Sequence, residues 1–194
     1  VPDLYLASQS SRRCQLLEQL GVSFAVISVD VDETRGTAEP PADYATRIAC
    51  DKACAGAAAC DFSRPVLGAD TTVVVDDEVF GKPRDQADAL RMLGKLSGRT
   101  HRVVTAVALC RGREHVASVC SVSEVSFRRL DSDECLAYWA SGEPRDKAGA
   151  YAIQGRAGAF VSHINGSYSG VVGLPLFETE QLLRAAGIRC AMNG

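Results

Sequence analysis

The sequence predicts an α/β fold built on a mixed sheet, and three observations carry that expectation. Short β-branched and apolar runs, such as Leu4–Ala7 and Thr72–Val75, have the length and composition of strands. Between them lie segments whose apolar residues recur at helical spacing, such as Leu16, Leu17 and Leu20. The two kinds of segment alternate irregularly, with no internal repeat, low-complexity tract or linker, which favours a mixed sheet over a regular parallel one. The 194 residues suffice for one domain with its own core, or for two small lobes sharing a cleft.

The elements follow in order. Leu4–Ala7 reads as a strand that ends in Ser8, Gln9, Ser10 and Ser11, a hydroxyl-rich turn suited to starting a helix. That helix runs from Arg12 to Leu20 and stops at Gly21. Phe24–Val29 is a second strand, and the polar segment from Asp30 to Asp43, with Gly36, Pro40 and Pro41, is a long loop. Asp43 caps a helix reaching about Ala59. Val66–Ala69 and Thr72–Val75 read as strands interrupted at Asp70, and Asp76-Asp77 turns the chain back into Val79-Phe80. Gln86–Leu96 is helical and closes at Ser97-Gly98. Val103–Leu109 and Val116–Phe127 are long strands paired about Arg111-Gly112. Ser132–Ala140 is a helix, a glycine-rich stretch from Gly142 to Gly173 holds Phe160-Val161 and Val171-Val172, and the last helix spans Pro175–Ala186.

Bulk composition narrows the function without naming it. The apolar fraction of 46% and charged fraction of 23% are ordinary for a globular chain. A net charge of −3 offers no broad basic face, so no nucleic-acid partner is expected, and an anionic ligand would need a local cluster of cations. No run approaches the length of a membrane helix, and the opening VPDLYLASQSSRR lacks the pattern of a signal peptide. Eight cysteines without a CxxC pair, and three scattered histidines, argue for buried reduced thiols rather than disulfides or zinc, and hence for the cytosol.

Four clusters carry chemical interest. Ser8-x-Ser10-Ser11-Arg12-Arg13 combines a helix start with hydroxyls and guanidiniums, all of which favour anions. Lys52 falls on the apolar stripe of its helix set by Ala45, Ile48 and Ala49, so its ammonium needs an anionic partner or a route to water. Gly68-Ala69-Asp70-Thr71-Thr72 places an acid between two β-branched runs, where it can serve as a base or metal ligand, or simply as a turn residue; Gly81-Lys82-Pro83-Arg84-Asp85 offers a further cation close in sequence. Asp30-Val31-Asp32-Glu33-Thr34 is an acidic patch that a solvated loop would equally explain. Each cluster is weak alone. Together they supply cations for a polyphosphate and carboxylates for a hard divalent metal.

The segments LASQSSRRCQLLEQLG, VDVDET, Asp51-Lys52-Ala53, VLGADTTVV, GKPRD, LSGRTHRVVTAVAL, DKAGAYAIQG and INGSYSGVVGLPL, in this order, resemble the Maf family of nucleotide pyrophosphatases along almost the whole chain. The family usually has S-x-S-P-R-R at the start; here Ser11 replaces the proline and Gln9 stands where glycine is common. The resemblance implies a single Maf-like domain over residues 1–194, with two lobes around a central cleft, a homodimer, and a divalent cation such as Mg²⁺ or Mn²⁺ as cofactor. It implies hydrolysis of a nucleoside triphosphate to monophosphate and pyrophosphate. Asp70 and Glu33 would be the acidic, metal-associated residues, with Asp70 preparing the attacking water as base or ligand. Lys52 and Lys82 would hold phosphates and offset charge at the α-phosphorus, and Ser8, Ser10 and Arg13 would cradle the triphosphate. Three positions differ between branches of the family. Arg12, Thr71 and Gln154 match the dTTP/UTP branch rather than the 7-methyl-GTP branch, which carries Trp, Gln and Glu. Other readings remain: a 7-methyl-GTP pyrophosphatase, or a nucleotide-binding regulator of cell division that would not need both carboxylates. A serine or cysteine nucleophile has no supporting motif, since GxSxG is absent.

Overall fold

The computed structural model describes residues 2–60, 64–112 and 114–191. Its strands are β1 (Leu4–Ala7), β2 (Phe24–Ile27), β3 (Val66–Val75), β4 (Glu78–Phe80), β5 (Thr100–Arg111), β6 (Glu114–Phe127) and β7 (Val161–Asn165). The helices are α1 (Ser11–Gln19), α2 (Pro41–Ala59), α3 (Gln86–Leu96), α4 (Ser132–Ala140), the short α5 (Tyr168–Val172) and α6 (Leu176–Ala185). The strands follow the order β2-β1-β3-β5-β6-β7, with β4 paired to β3. β1 is parallel to β2 and β3, whereas β3–β4 and β6–β7 are antiparallel, so the sheet is mixed as the irregular alternation predicted.

The chain divides into two compact units. The first comprises Val1–Asp70, Thr105–Ser121 and Gly173–Gly194. In it α2 packs on β1, burying the stripe Ala45, Ile48, Ala49, Ala53 and Ala57. The second comprises Thr71–Val104 and Val122–Val172. Its core joins Val73, Val75, Phe80, Leu93, Leu96 and Phe127 to the aromatic rings of Tyr138, Tyr151 and Phe160. α3 packs against α4 there, and both are capped by aspartates: Asp85 accepts from the Asp88 amide, and Asp131 forms a capping box with Glu134.

Two sequence expectations need correction. Asp70 does not interrupt the strand; β3 runs unbroken from Val66 to Val75. A single acid costs little strand propensity when its carboxylate finds a partner, and the β-branched residues on both sides supply the rest. Asp43 does not cap α2 either. Pro40 takes the cap position with extended backbone and Pro41 starts the helix, a place where the missing amide is no loss. The Asp76-Asp77 turn is as expected: both residues have positive φ, 48° and 61°, as a two-residue hairpin with the sheet's twist requires.

Candidate active site

In the first unit the geometry begins with the absence of a side chain. Gly68 and Asp70 are two apart on β3 and so share a face. A Cβ on Gly68 would lie 2.2 Å from the Ala49 carbonyl oxygen and 2.6 Å from the Ala53 amide nitrogen. Glycine therefore lets α2 approach β3 more closely than any other residue would allow. Lys52, beside Ala53 on that helix, reaches Asp70 across the short gap: Nζ donates to Oδ1 at 2.9 Å. The same Nζ lies 2.7 Å from Oε1 of Glu33. The Lys52 and Asp70 side chains are only 14% and 12% exposed, against 56% for Glu33. The lysine on the inner stripe thus has two anionic partners.

Glu33 lies on the loop before α2, and that loop is tied down by α2 itself. Tyr44 donates its hydroxyl to the Glu33 carbonyl at 2.9 Å, and Arg47 donates to the Thr34 carbonyl at 3.0 Å. Arg47 also grips the Glu39 carboxylate with two bonds, of 2.8 and 3.0 Å, and holds it down to about 2. Asp32 closes a small turn by accepting from the Thr34 amide at 2.9 Å. The acidic patch is therefore a built loop with one carboxylate directed at Lys52.

The serine- and arginine-rich turn contributes a third part. Ser8 is buried, and its Oγ accepts from the Ser10 amide at 3.2 Å and from Nη1 of Arg13 at 3.3 Å. Nε of Arg13 donates to the Gly173 carbonyl at 2.9 Å. Burial pulls the Arg13 guanidinium below its usual value, while the charges of Asp70 and Glu33 oppose that shift. Ser10 caps α1 through its backbone alone, and Arg12 is half-buried on the first turn.

Thr71, Lys82 and Gln154 belong to the second unit. Thr71 follows Asp70 on the opposite face of β3 and is half-buried. Lys82 is exposed on a loop held on both sides: Gly81 accepts from the Gly149 amide at 3.0 Å, and Asp88 accepts from the Arg84 amide at 3.2 Å. Gln154 is exposed in the turn that the Gly155 amide closes onto the Ala152 carbonyl at 3.0 Å.

The structure thus brings Asp70 and Glu33 each into contact with Lys52, and Ser8 with Arg13. Among the described residues no three His, Cys, Asp or Glu side chains gather as a ready-made metal cage. Asp70 and Glu33 nevertheless converge on one cation, the Lys52 ammonium, and two carboxylates are a fitting donor set for a hard divalent ion that takes its remaining ligands from phosphate and water. All eight cysteines are free. Cys110, Cys135 and Cys190 are buried as expected, whereas Cys54 and Cys120 are exposed. Sequence reasoning missed Tyr44, Arg47 and Glu39, for which no pattern speaks. Gly68 was given no role of its own, although a lone glycine in an apolar strand signals a close backbone approach.

Comparison with known proteins extends this description. The family model described as Maf-like protein matches residues 3–186. The dTTP/UTP pyrophosphatase of Xanthomonas oryzae pv. oryzae (strain MAFF 311018) is 54% identical over 187 residues, covering 95% of this chain and 98% of its own. The dTTP/UTP pyrophosphatase of Alkalilimnicola ehrlichii is also 54% identical, covering 94% and 92%. Among solved structures, a HAM1 protein from Coxiella burnetii shares the fold at a TM-score of 0.53 and 18% identity, covering 95% of this chain and all of that one.

Proposed function

Since this chain belongs to the Maf-like protein family, we propose that it is a nucleoside-triphosphate pyrophosphatase that hydrolyses dTTP and UTP to the monophosphate and pyrophosphate. The observation that carries the reading is the contact of Lys52 with both Asp70 and Glu33, in the same unit as the hydrogen-bonded pair Ser8 and Arg13. A non-catalytic nucleotide binder would need the cations but not two carboxylates converging on one of them.

The proposed division of labour follows from charge. Ser8, Ser10, Arg12 and Arg13 bind the triphosphate through hydroxyls, amides and guanidiniums. Asp70 takes the proton of the water that attacks the α-phosphorus in line, and pyrophosphate leaves. Lys52 is tethered to carboxylates until a phosphate oxygen arrives as a competing anion, and it then offsets the charge that grows during attack. Lys82 is a second phosphate cation in this proposal. Asp70 and Glu33 would hold a divalent cation such as Mg²⁺ or Mn²⁺, which, when bound, neutralises phosphate charge and acidifies water. Thr71 and Gln154 are proposed to discriminate the base. The carboxamide of Gln154 offers a donor and an acceptor to a ring N–H flanked by carbonyls, the edge that uracil and thymine present. A cationic 7-methylguanine would favour the aromatic face and carboxylate that these positions lack.

The family resemblance also supports a role in clearing nucleotide pools, modified pyrimidine nucleotides included. On the family resemblance alone we further propose a homodimer in the cytoplasm and a single functional domain over residues 1–194. No helix of the described residues is long and apolar enough to cross a membrane.

Initial rates of pyrophosphate release from dTTP, UTP and 7-methyl-GTP, measured side by side with Mg²⁺ or Mn²⁺, test the assignment. Fast release from dTTP and UTP and slow release from 7-methyl-GTP are expected. A clear preference for the methylated purine would overturn the base assignment, and no release from any nucleotide would overturn the enzyme.

A further inference from the structure

We propose that Glu143 is a positioning residue for base selection, its carboxylate clamping both ends of the turn that presents Gln154. The inference rests on the reading above that Gln154 meets the base, and it adds a residue that no sequence pattern singled out.

All the partners lie in the second unit. The turn Ala152–Gly155 is closed by the bond from the Gly155 amide to the Ala152 carbonyl, leaving Ile153 buried and Gln154 exposed at its centre. At its front end the Ala152 amide donates to the Tyr138 hydroxyl at 3.0 Å, and that hydroxyl donates to Oε1 of Glu143 at 2.7 Å. At its back end the Arg156 amide donates to Oε2 of Glu143 at 3.1 Å, and the Ala157 amide lies 3.5 Å from Oε1. One carboxylate therefore connects the residue two before Gln154 to the residue two after it. Tyr151, just ahead of the turn, is fixed as well, its hydroxyl 2.8 Å from Nε2 of the buried His101.

A second observation makes the clamp specific. A Cβ on Gly155 would lie 2.5 Å from Cδ and from both oxygens of Glu143. The carboxylate fills the space that a side chain beside Gln154 would take, so glycine at 155 and glutamate at 143 are complementary. A partly buried carboxylate is costly unless its oxygens are paired, and here its protein partners are the amides of this turn and the tyrosine that holds the turn's other end. An acid serving only as a helix cap would account for the Arg156 and Ala157 amides, but not for the Tyr138 link to Ala152.

Glu143→Gln tests this, because its amide group would oppose the Arg156 N–H or the Tyr138 hydroxyl. Selectivity is the ratio of kcat/KM, and separately of Kd, between the nucleotide that the wild type prefers and dGTP. Loss of a charge-assisted bond predicts a fall in selectivity of about tenfold, carried by a rise in KM and Kd for the preferred nucleotide, with kcat changed by less than about twofold. Introduced into Gln154→Ala, Glu143→Gln should change selectivity by less than about twofold, since both act through one side chain. Gly155→Ala should reproduce the Glu143→Gln phenotype. Hydrogen exchange provides a readout independent of turnover: the Arg156 and Ala157 amides should exchange faster in Glu143→Gln while α3 and α4 stay protected. Parallel loss on every nucleotide, additive effects of the 143 and 154 changes, or unchanged exchange at Arg156 and Ala157 would each overturn the proposal. A wild type that prefers 7-methyl-GTP would overturn the pyrimidine assignment instead, and the coupling between Glu143 and Gln154 would then be judged on that nucleotide.

Discussion

Lys52 is the residue on which Asp70 and Glu33 meet. Its ammonium touches Asp70 and Glu33 at 2.9 and 2.7 Å, so without a phosphate the cation is already oriented and the two carboxylates do not face each other unscreened. The two acids differ in setting: Asp70 is almost buried on a strand, whereas Glu33 is more than half exposed on a loop. That difference suits Asp70 to proton transfer in a fixed geometry and Glu33 to adjustable ligation. Asp70→Asn preserves size and an oxygen that can still accept from Lys52, so the local structure should persist, while the negative charge and the basic oxygen are lost. We expect kcat to fall by roughly two orders of magnitude or more, with nucleotide binding by calorimetry largely retained. Near-normal turnover of the Asn variant would remove Asp70 from its assigned role. At this scale the sequence was informative where chemistry depends on residue type: Lys52 on an apolar stripe and an acid between β-branched runs both pointed to partners. It could not pair them, because the partners of a buried charge are chosen by three-dimensional proximity and Glu33 is 19 positions from Lys52 along the chain.

At the scale of elements, the contact between α2 and β3 decides whether those residues meet. Gly68 is its hinge of closeness, and its neighbours across the gap are backbone atoms that cannot rotate away. Gly68→Ala should push α2 from β3, lengthen the Lys52–Asp70 contact and destabilise the protein by roughly 1–3 kcal/mol, as overpacking does. Thermal denaturation would register the stability loss, and turnover should fall by more than the loss of folded protein explains. An Ala variant with wild-type stability and rate would contradict the packing argument. Most elements were legible from periodicity and turn chemistry, including α3 from Gln86 to Leu96 and the hairpin at Asp76-Asp77. The two misreadings have a common cause. Local preference marks Asp70 as a strand breaker and Asp43 as a cap, yet tertiary pairing overrode the first and the proline pair Pro40-Pro41 pre-empted the second. The short 3₁₀ turns between Glu143 and Phe160 had no periodicity to read, and the Glu143 clamp lies among them.

For the whole molecule, the mixed sheet was foreseeable from irregular alternation and two lobes from the family resemblance, but where the chain divides was not, since β3, β5 and β6 each contribute to both units. A boundary inside a strand leaves no linker, no composition shift and no proline-rich stretch for sequence reading to find. The net charge of −3 likewise conceals that Arg12, Arg13 and Lys52 share the first unit, because the acids of that unit outweigh its cations. The proposed role of these residues is to direct water to the α-phosphorus of a pyrimidine triphosphate. Hydrolysis of dTTP in ¹⁸O-labelled water, with products resolved by mass spectrometry, tests it most directly. One solvent oxygen is expected in dTMP and none in the pyrophosphate released with it. Label in the pyrophosphate, or orthophosphate with dTDP as the first products, would contradict it.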